Sequence, residues 1–478
     1  MKKVLFLLLM AAVSCAKVTT VDIALPEGID TLPVRHTNPI DGAFSFAATD
    51  TLAVSAGHPL RIRTRVPAIV CLQDAVTPQN GIFLAVEPGK RYELTYDGTR
   101  FTVAGPGHAA QRLFAALPHP SHPQLGFARA CFRDSIAAEL KAKVEALLQR
   151  ELAPFDSLCA TGQLSEGLLR LIRSDRTCNA RLACATVPFV HFAMQDSLSS
   201  QDREMWEMAF DGIQPADFRQ AVFFPYWMEN QVSRRILTEG RKDEMMERAQ
   251  NGKIHTLFFR EYEKLLSRRD LEQVEGDYLG RAVLQQQFEE ELIGLFEEYC
   301  SRFPKSGFIP YLTGPIDDIR VFHRASKVDS GIRFLDFAPG SFDELMAQFK
   351  GKKVYIDVWA TWCGPCKKEF EHAERTRALL EAHDCEMLFI SIDKDQDESK
   401  WREMVAYYDL KGIHVRAGEA LHKDLFRLYG SDRMAIPWNI LVDAAGNVAR
   451  LHAPRPSEAD ALARALGCEA RSSTSSRP

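Results

Sequence analysis

Two cysteines stand two residues apart at the end of an apolar run, in the stretch VYIDVWATWCGPCKKEF. Cys363 and Cys366 could bind a metal, form a structural disulfide or act as a redox couple. A structural zinc site needs four ligands, and the sequence holds no second Cys-x-x-Cys. Haem attachment needs a His where Lys367 stands. A disulfide that closes so small a loop gains little from chain entropy. We therefore expect redox chemistry, with no metal and no cofactor.

The residues around the pair suit that chemistry. Cys363 falls where a predicted strand ends and a predicted helix begins, and the helix N-terminus favours a thiolate, which is the nucleophile. Cys366 follows at i+3, so it faces the same side of the helix. Gly364 allows a close turn, and Pro365 lacks an N–H that the first helical turn would not use. The sequence predicts that both cysteines are catalytic.

Asp357 is the one charged residue inside the apolar strand segment VYIDVWA. A carboxylate on a buried central strand should have a raised pKa. We therefore expect Asp357 to act as general base for the proton of Cys366. The alternative is an Asp at a strand edge that is hydrogen-bonded to the backbone.

The segment IDVWATWCGPCKKEF resembles the active-site segment of the thioredoxin fold. The part from 331 to 470 resembles the TlpA-like, membrane-anchored thiol–disulfide oxidoreductases, and the resemblance includes the later Ile436-Pro437. It implies that Pro437 is cis, lies beside the cysteines and has a neighbour whose backbone pairs with a substrate strand. The sequence departs from the family pattern at Glu371, where many relatives have Pro, and at Trp438, where Thr is common. The residues expected to contact substrate are Trp362, Gly364, Pro365, Ile436, Pro437 and Trp438.

The periodicity changes twice along the chain, which predicts several domains. We expect an N-terminal all-β domain, an α-helical middle region and a C-terminal α/β thioredoxin fold. The predicted segments are a signal peptide (1–14), a β-rich domain (15–106), a helical domain (107–330), a thioredoxin-like domain (331–470) and a disordered tail (471–478). FLAVEPGKRYELTYDGTRFTVAG and FEEYCSRFPKSGFIPYL also resemble, more weakly, the β-domain and the helical region of envelope thioredoxin-like lipoproteins.

The β-rich and helical predictions rest on side-chain periodicity. RIRTRV places Arg61, Arg63 and Arg65 on one face of a strand; we favour a solvated outer face, and an anion-binding face is the alternative. AVFFPYWMEN is interpreted as core, with a docking surface as the alternative. Two apolar stripes predict helices. The first stripe comprises Ile136, Leu140, Val144, Leu148 and Leu152, and the second comprises Leu284, Phe288, Leu292, Leu295, Phe296 and Tyr299.

The chain opens with MKKVLFLLLMAAVSCAK, a short apolar run behind two lysines. This run is too short to span a bilayer and is typical of an export signal. Ala12 to Cys15 resembles the lipobox of bacterial lipoproteins, which would make Cys15 the lipidated N-terminus. Cleavage before Lys17 is the alternative. The remaining eight cysteines are scattered through apolar surroundings. We interpret them as buried side chains whose pairing the sequence does not give.

These features together predict a thiol–disulfide oxidoreductase of the cell envelope that faces the periplasm and is anchored at Cys15. The Gly-Pro pair between the cysteines is that of the strongly reducing thioredoxin, which predicts a reductase. The expected partners are disulfide-containing exported proteins and a membrane thiol electron donor. We expect contact with the membrane through the lipid anchor only and, at a net charge of −5, no nucleic acid. The alternatives are a ligand- or protein-binding envelope lipoprotein and a thiol peroxidase.

Overall fold

The structure is a computed structural model that describes residues 16–468 except 56, 77–80, 106, 120–125, 196, 325–330 and 432–433. The chain divides into two compact units. The first contains the residues up to Leu284 together with Glu291–Pro315. The second contains Gln285–Glu290 and the chain from Ile316 onward. The predicted Cys15, signal peptide and C-terminal tail lie outside the described residues.

The first unit begins with strands that form two sheets. One sheet has the order β4-β1-β7-β8, with β1 parallel to β7, and the other has the order β3-β2-β5-β6. The strands are β1 (Lys17–Ala24), β2 (Thr31–Thr37), β3 (Thr49–Ser55), β4 (Leu60–Thr64), β5 (Ala68–Asp74), β6 (Ile82–Val86), β7 (Arg91–Tyr96) and β8 (Phe101–Val103).

Alternation of side chains explains how these two sheets share one core. Buried and exposed residues alternate without a break along β4 and β7. The buried set includes Ile62 and Leu94 from one sheet and Val34 and Val70 from the other, and all four belong to one apolar cluster. The sheet that contains β4 and β7 therefore has one face on the core and one in solvent, whereas β5 and β6 of the other sheet are buried on both faces. As expected, Arg61 and Arg63 are exposed.

Helices follow the sheets, as the apolar stripes predict. They are α1 (Ala109–Ala116), α2 (Phe127–Cys131), α3 (Ala137–Ala160), α4 (Glu166–Gln195), α5 (Ser200–Phe210), α6 (Pro215–Phe218), α7 (Phe224–Thr238), α8 (Lys242–Gln250), α9 (Ile254–Leu265), α10 (Arg268–Leu284), α11 (Glu291–Arg302) and α12 (Ile309–Arg324). Phe223, Phe224 and Trp227 of the aromatic cluster are fully buried, so their interpretation as core is confirmed.

The structure corrects both predicted stripes. Along α3 the buried positions are Leu140, Val144, Leu147, Glu151 and Phe155, whereas Ile136 is exposed and Leu148 and Leu152 are half-buried. A strict spacing of four drifts off one face, because a helix has 3.6 residues per turn.

The second stripe is interrupted between α10 and α11. Leu284 is exposed, and Gln286 and Phe288 have φ of 51° and 53°, which no helix accommodates. Residues 285–290 instead pack within the second unit.

The second unit holds one sheet in the order β14-β13-β10-β11-β12-β9. Its strands are β9 (Ile332–Phe334), β10 (Lys353–Trp359), β11 (Cys385–Ser391), β12 (Gly412–Arg416), β13 (Trp438–Val442) and β14 (Val448–Arg450). Its helices are α13 (Phe342–Met346), α14 (Gly364–Glu369), α15 (Ala373–Ala382), α16 (Glu398–Tyr407), α17 (Glu419–Tyr429) and α18 (Ala459–Cys468). The predicted sequence of sheet domain, helical region and α/β domain is confirmed at this level.

Strand β10 is the centre of that sheet. It pairs in parallel with β11 and antiparallel with β13. Its side chains are buried on both faces, in two apolar clusters that contain Ile356 and Tyr355 respectively. An apolar run covered on both faces is what an α/β sheet requires. Because β10 is fixed on both sides, the turn at its C-terminal end is held in place.

The described residues contain no helix that is long and apolar enough to cross a membrane. Five cysteines of the described residues outside the Cys-x-x-Cys pair have buried side chains, namely Cys71, Cys131, Cys178, Cys184 and Cys385. Cys159 and Cys300 are half-buried. The side chain of Cys468 lies outside the description.

Candidate active site

The two cysteines of the Cys-x-x-Cys motif form a disulfide at the start of α14. The Cys363–Cys366 bond has an S–S distance of 1.97 Å and a Cα–Cα distance of 5.3 Å. Cys363 is the N-cap of the helix, and its Sγ accepts a hydrogen bond from the backbone N–H of Cys366 at 3.1 Å. Once the disulfide is reduced, that donor and the helix N-terminus favour a thiolate on Cys363. The predicted placement of the pair is therefore what the structure shows.

The residues around the disulfide differ in their solvent exposure. Trp362 is 56% exposed, Cys363 is 4% exposed and Cys366 is fully buried. Pro365 is exposed in the first turn of the helix. A partner disulfide can therefore approach past Trp362 to Cys363, whereas Cys366 is reached only through Cys363.

The loop that precedes the cysteines is held by a buried carboxylate. Asp393 accepts hydrogen bonds from the backbone N–H of Thr361 at 3.1 and 2.9 Å, and from its hydroxyl at 2.8 Å. The Ser391 hydroxyl donates to the same carboxylate at 2.7 Å. A loop fixed by several bonds to one charged group costs little further ordering when a substrate binds.

The Ile436-Pro437 peptide bond is cis, as the resemblance implies. Trp438 opens β13 and pairs with Val358 of β10. Pro437 therefore lies near the end of β10 from which the chain runs on to Cys363. Trp438 does not lie where we expected. Its ring is buried in the apolar core, and its indole N–H donates to the Leu451 carbonyl at 2.6 Å. The Trp438 side chain therefore packs in the core beneath the turn and does not line a substrate groove.

Asp357 is buried in the central strand, so the alternative of a strand-edge position is wrong. The pKa of its carboxyl is raised to about 7, chiefly by burial and also by the negative charge of Glu369. The amide of Asn439, which faces it from β13, and the more distant Arg455 act in the opposite direction. Its Oδ1 has no hydrogen-bond partner among the described residues. A carboxyl that titrates near neutrality with one unsatisfied oxygen is suited to taking up a proton.

Glu369 is a residue that sequence reasoning missed. It is buried one turn after Cys366, and its carboxylate accepts hydrogen bonds from the Ser457 backbone N–H at 2.9 Å and from the Ser457 hydroxyl at 3.1 Å. Asp357 and Glu369 line the same cavity, whose volume is about 380 Å³. That cavity gives water and protons room beside Asp357. The i+3 spacing from Cys366 is the sequence signal that could have identified Glu369.

Lys367, next to Cys366, was also missed. Its ammonium donates to the backbone carbonyls of Gln285 and Gln286 at 3.0 and 2.7 Å, and its side chain is buried. The pKa of Lys367 is lowered to about 7, chiefly by burial and also by the positive charge of Lys400. Negative charges on Asp393 and Glu289 oppose that shift only in part. A second group that titrates near neutrality therefore lies beside the redox pair.

Comparison with known proteins locates the family resemblance in this part of the chain. Residues 343–466 match the family model described as Redoxin. Thiol-disulfide oxidoreductase ResA of Bacillus thuringiensis subsp. konkukian is 29% identical over 104 residues, which cover 22% of this chain and 56% of that protein. Its counterpart from Bacillus subtilis is 26% identical over 106 residues, which cover 22% and 55%. The chain thus spans little more than half the length of these curated relatives.

Among solved structures, the thioredoxin domain of a thiol-disulfide oxidoreductase from Bacteroides vulgatus is 24% identical. The match covers 26% of this chain and 82% of that one, with a TM-score of 0.23. The family match over residues 343–466 coincides with the sheet built around β10 and with the cysteine pair at the start of α14. The C-terminal part of this chain is therefore a redoxin domain of the thioredoxin-fold family.

Proposed function

We propose that the chain is a thiol–disulfide oxidoreductase of the cell envelope that reduces disulfides in exported proteins. One observation carries the proposal: the Cys363–Cys366 disulfide lies at a helix N-terminus, with Cys363 4% exposed and Cys366 fully buried. Relatives of this domain carry the name thiol-disulfide oxidoreductase, which supports the same chemistry here.

The first step begins with the reduced protein. The Cys363 thiolate attacks one sulfur of the substrate disulfide, forms a mixed disulfide and releases the other substrate sulfur as a thiolate. We place Trp362, Gly364, Pro365, Ile436 and Pro437 at the substrate surface. The backbone beside Pro437 pairs with the substrate strand.

In the second step Cys366 resolves the mixed disulfide. Asp357 accepts the proton of Cys366, whose thiolate then attacks the Cys363 sulfur and releases the second substrate thiolate. The substrate gains two electrons, and the protein is left as the Cys363–Cys366 disulfide. A membrane thiol electron donor returns it to the dithiol, which an oxidising envelope requires of a reductase.

The membrane location belongs to the same proposal. The lipobox-like run ending at Cys15 supports an acyl anchor on the periplasmic face of the envelope. The N-terminal sheets and the helices have no assigned role in this chemistry.

Trapping of the mixed disulfide tests the proposal. Cys366→Ser in the full chain removes the resolving thiol, so substrate proteins should stay linked to Cys363 and appear as bands on non-reducing gels that dithiothreitol abolishes. The matched control is Cys159→Ser, which changes a half-buried free thiol outside the site. Adducts that also form in a Cys363→Ser/Cys366→Ser variant would contradict the assignment. Consumption of peroxide without adducts would favour a thiol peroxidase.

A further inference from the structure

Three arginines contribute to the wall of a cavity in the first unit. Its volume is about 360 Å³, and Arg63, Arg65 and Arg269 contribute to its wall. Asp41 is the acidic residue in the same wall. Three positive charges and one negative charge give the lining a net charge of +2. Ala16, the residue after Cys15 in the sequence, also lines this cavity.

The guanidinium groups of this cavity are not used by the fold. Within the described part of the chain, neither an ion pair nor a side-chain hydrogen bond involves Arg63, Arg65 or Arg269. Other arginines of the same unit behave differently: Arg302 binds Glu275 at 2.7 Å, and Arg281 binds Asp277 at 2.8 Å. Guanidinium groups gathered without carboxylate partners repel one another, and an anion bound between them would remove that repulsion.

The wall that carries these arginines is rigid. Arg63 lies on β4, opposite Val18 of β1. The next part of the wall, at Val66, packs closely on Gly42. A Cβ atom on Gly42 would come within 2.4 Å of the Val66 Cγ2, and Gly42 has φ of +85°. Gln220 then holds the following carbonyl, that of Pro67, at 2.7 Å. The arginines are therefore presented from a fixed frame, which lowers the ordering cost of binding a ligand.

Apolar side chains accompany this basic cavity. Val18 beside Arg63 is 41% exposed, and Val66 beside Arg65 is 40% exposed. Basic groups interspersed with exposed apolar ones match the interface of an anionic membrane, whereas a site for a soluble phosphate compound would gain nothing from the valines.

We propose that the cavity formed by Arg63, Arg65 and Arg269 binds the phosphate of an anionic phospholipid headgroup and so holds the first unit against the membrane surface. Guanidinium groups bind phosphate oxygens in a bidentate manner, and Val18 and Val66 rest on the headgroup–acyl boundary. This contact is additional to any acyl chain on Cys15 and independent of the cysteine chemistry, so it does not rest on the proposed redox function.

Vesicle binding of the chain from Ala16 to Pro478, which carries no acyl group, tests the proposal. The probes are vesicles of phosphatidylcholine alone and of phosphatidylcholine mixed with phosphatidylglycerol. We expect co-sedimentation with the mixed vesicles, weakening as salt is added. Arg63→Gln/Arg65→Gln should lower this binding about tenfold or more. Arg133→Gln/Arg203→Gln removes two other exposed arginines of the same unit and should leave binding nearly unchanged.

Equal losses in the two double variants would show that net charge alone acts, and this would overturn the site. Equal binding to both kinds of vesicle would overturn it as well. If Arg63→Gln/Arg65→Gln unfolds at a lower temperature than the parent, Arg269→Gln, which changes a helix position, is tested in its place. It too should lower binding to the mixed vesicles. Saturable binding of glycerol 3-phosphate without any preference for mixed vesicles would assign the cavity to a soluble phosphate compound and contradict the membrane contact.

Discussion

At the scale of single residues, Asp357 joins the central strand to the chemistry of Cys366. With a pKa of about 7, its carboxyl is mostly protonated at pH 6 and mostly ionised at pH 8. Resolution of the mixed disulfide should therefore accelerate across this range. Asp357→Asn should remove the acceleration and slow resolution at pH 8 about 10²-fold, within the usual range of general-base assistance. Stopped-flow measurement of both steps checks this. A variant whose resolution rate equals that of the wild type at every pH from 6 to 9 would make Asp357 structural.

Burial of Asp357 also predicts how stability depends on pH. Because the folded pKa lies above the ordinary value of 3.8, the folded state binds more protons between about pH 4 and pH 7, and the free energy of unfolding falls as pH rises through that window. Asp357→Asn lacks this decline. Near pH 4 the free energy of unfolding of the oxidised variant should be close to that of the oxidised wild type. Above pH 7 it should exceed the wild-type value by a few kcal/mol at most. Urea unfolding at pH 5 and pH 8 measures the difference in stability between the variant and the wild type. If this difference shifts against the variant from pH 5 to pH 8, the burial argument is refuted.

The lowered pKa of Lys367 gives the opposite dependence of stability on pH. Its folded pKa is lowered, so the unfolded state binds more protons between about pH 7 and pH 10.5, and this group makes the folded state more stable as pH rises. Lys367→Met abolishes that dependence and leaves the Gln285 and Gln286 carbonyls without their donor. Lys368→Met is the matched control, since Lys368 is exposed beside it. Urea unfolding of the oxidised proteins at pH 7 and pH 9 should show the wild type gaining stability over Lys367→Met but not over Lys368→Met. A constant difference would show that the lysine stays charged when buried.

At the scale of elements, α14 sets the order of reactivity of the two thiols. Cys363 caps the helix and keeps a small exposed area, whereas Cys366 lies inside the first turn and is fully buried. We expect alkylation of the reduced protein to modify Cys363 first, with an apparent pKa below the free value of about 8.5. Mass mapping of iodoacetamide adducts at graded pH measures this, and earlier modification of Cys366 would reverse the two roles.

Local patterns predicted the parts of the site that local sequence determines. The apolar run ending in Trp-Cys-Gly-Pro-Cys sufficed to place the strand, the turn and the helix. Glu369 and Lys367 were missed because KKE is typical of a solvated helix face. Their partners come from distant segments, at Ser457 and Gln285, and no local periodicity reports such contacts.

At the scale of the whole molecule, the anchor decides where the redox domain works. If Cys15 is the mature N-terminus, it carries acyl groups and tethers the chain to the envelope. Mass spectrometry of the mature N-terminal peptide should show a lipid-modified Cys15, and Cys15→Ala should release the protein into the soluble fraction or leave it unprocessed. An unmodified terminus at Lys17 would contradict the anchor without affecting the chemistry at Cys363.

The central claim is that two electrons move from the Cys363–Cys366 dithiol to a protein disulfide. Its most direct test is a single turnover in which the reduced full chain is mixed with insulin and the Cys363–Cys366 disulfide is counted by mass spectrometry as insulin chains separate. The account predicts one such disulfide formed for each insulin disulfide reduced, no reaction with Cys363→Ser, and a stalled adduct with Cys366→Ser. Reduction of insulin at an unchanged rate by Cys363→Ser, or none by the wild type, would contradict it.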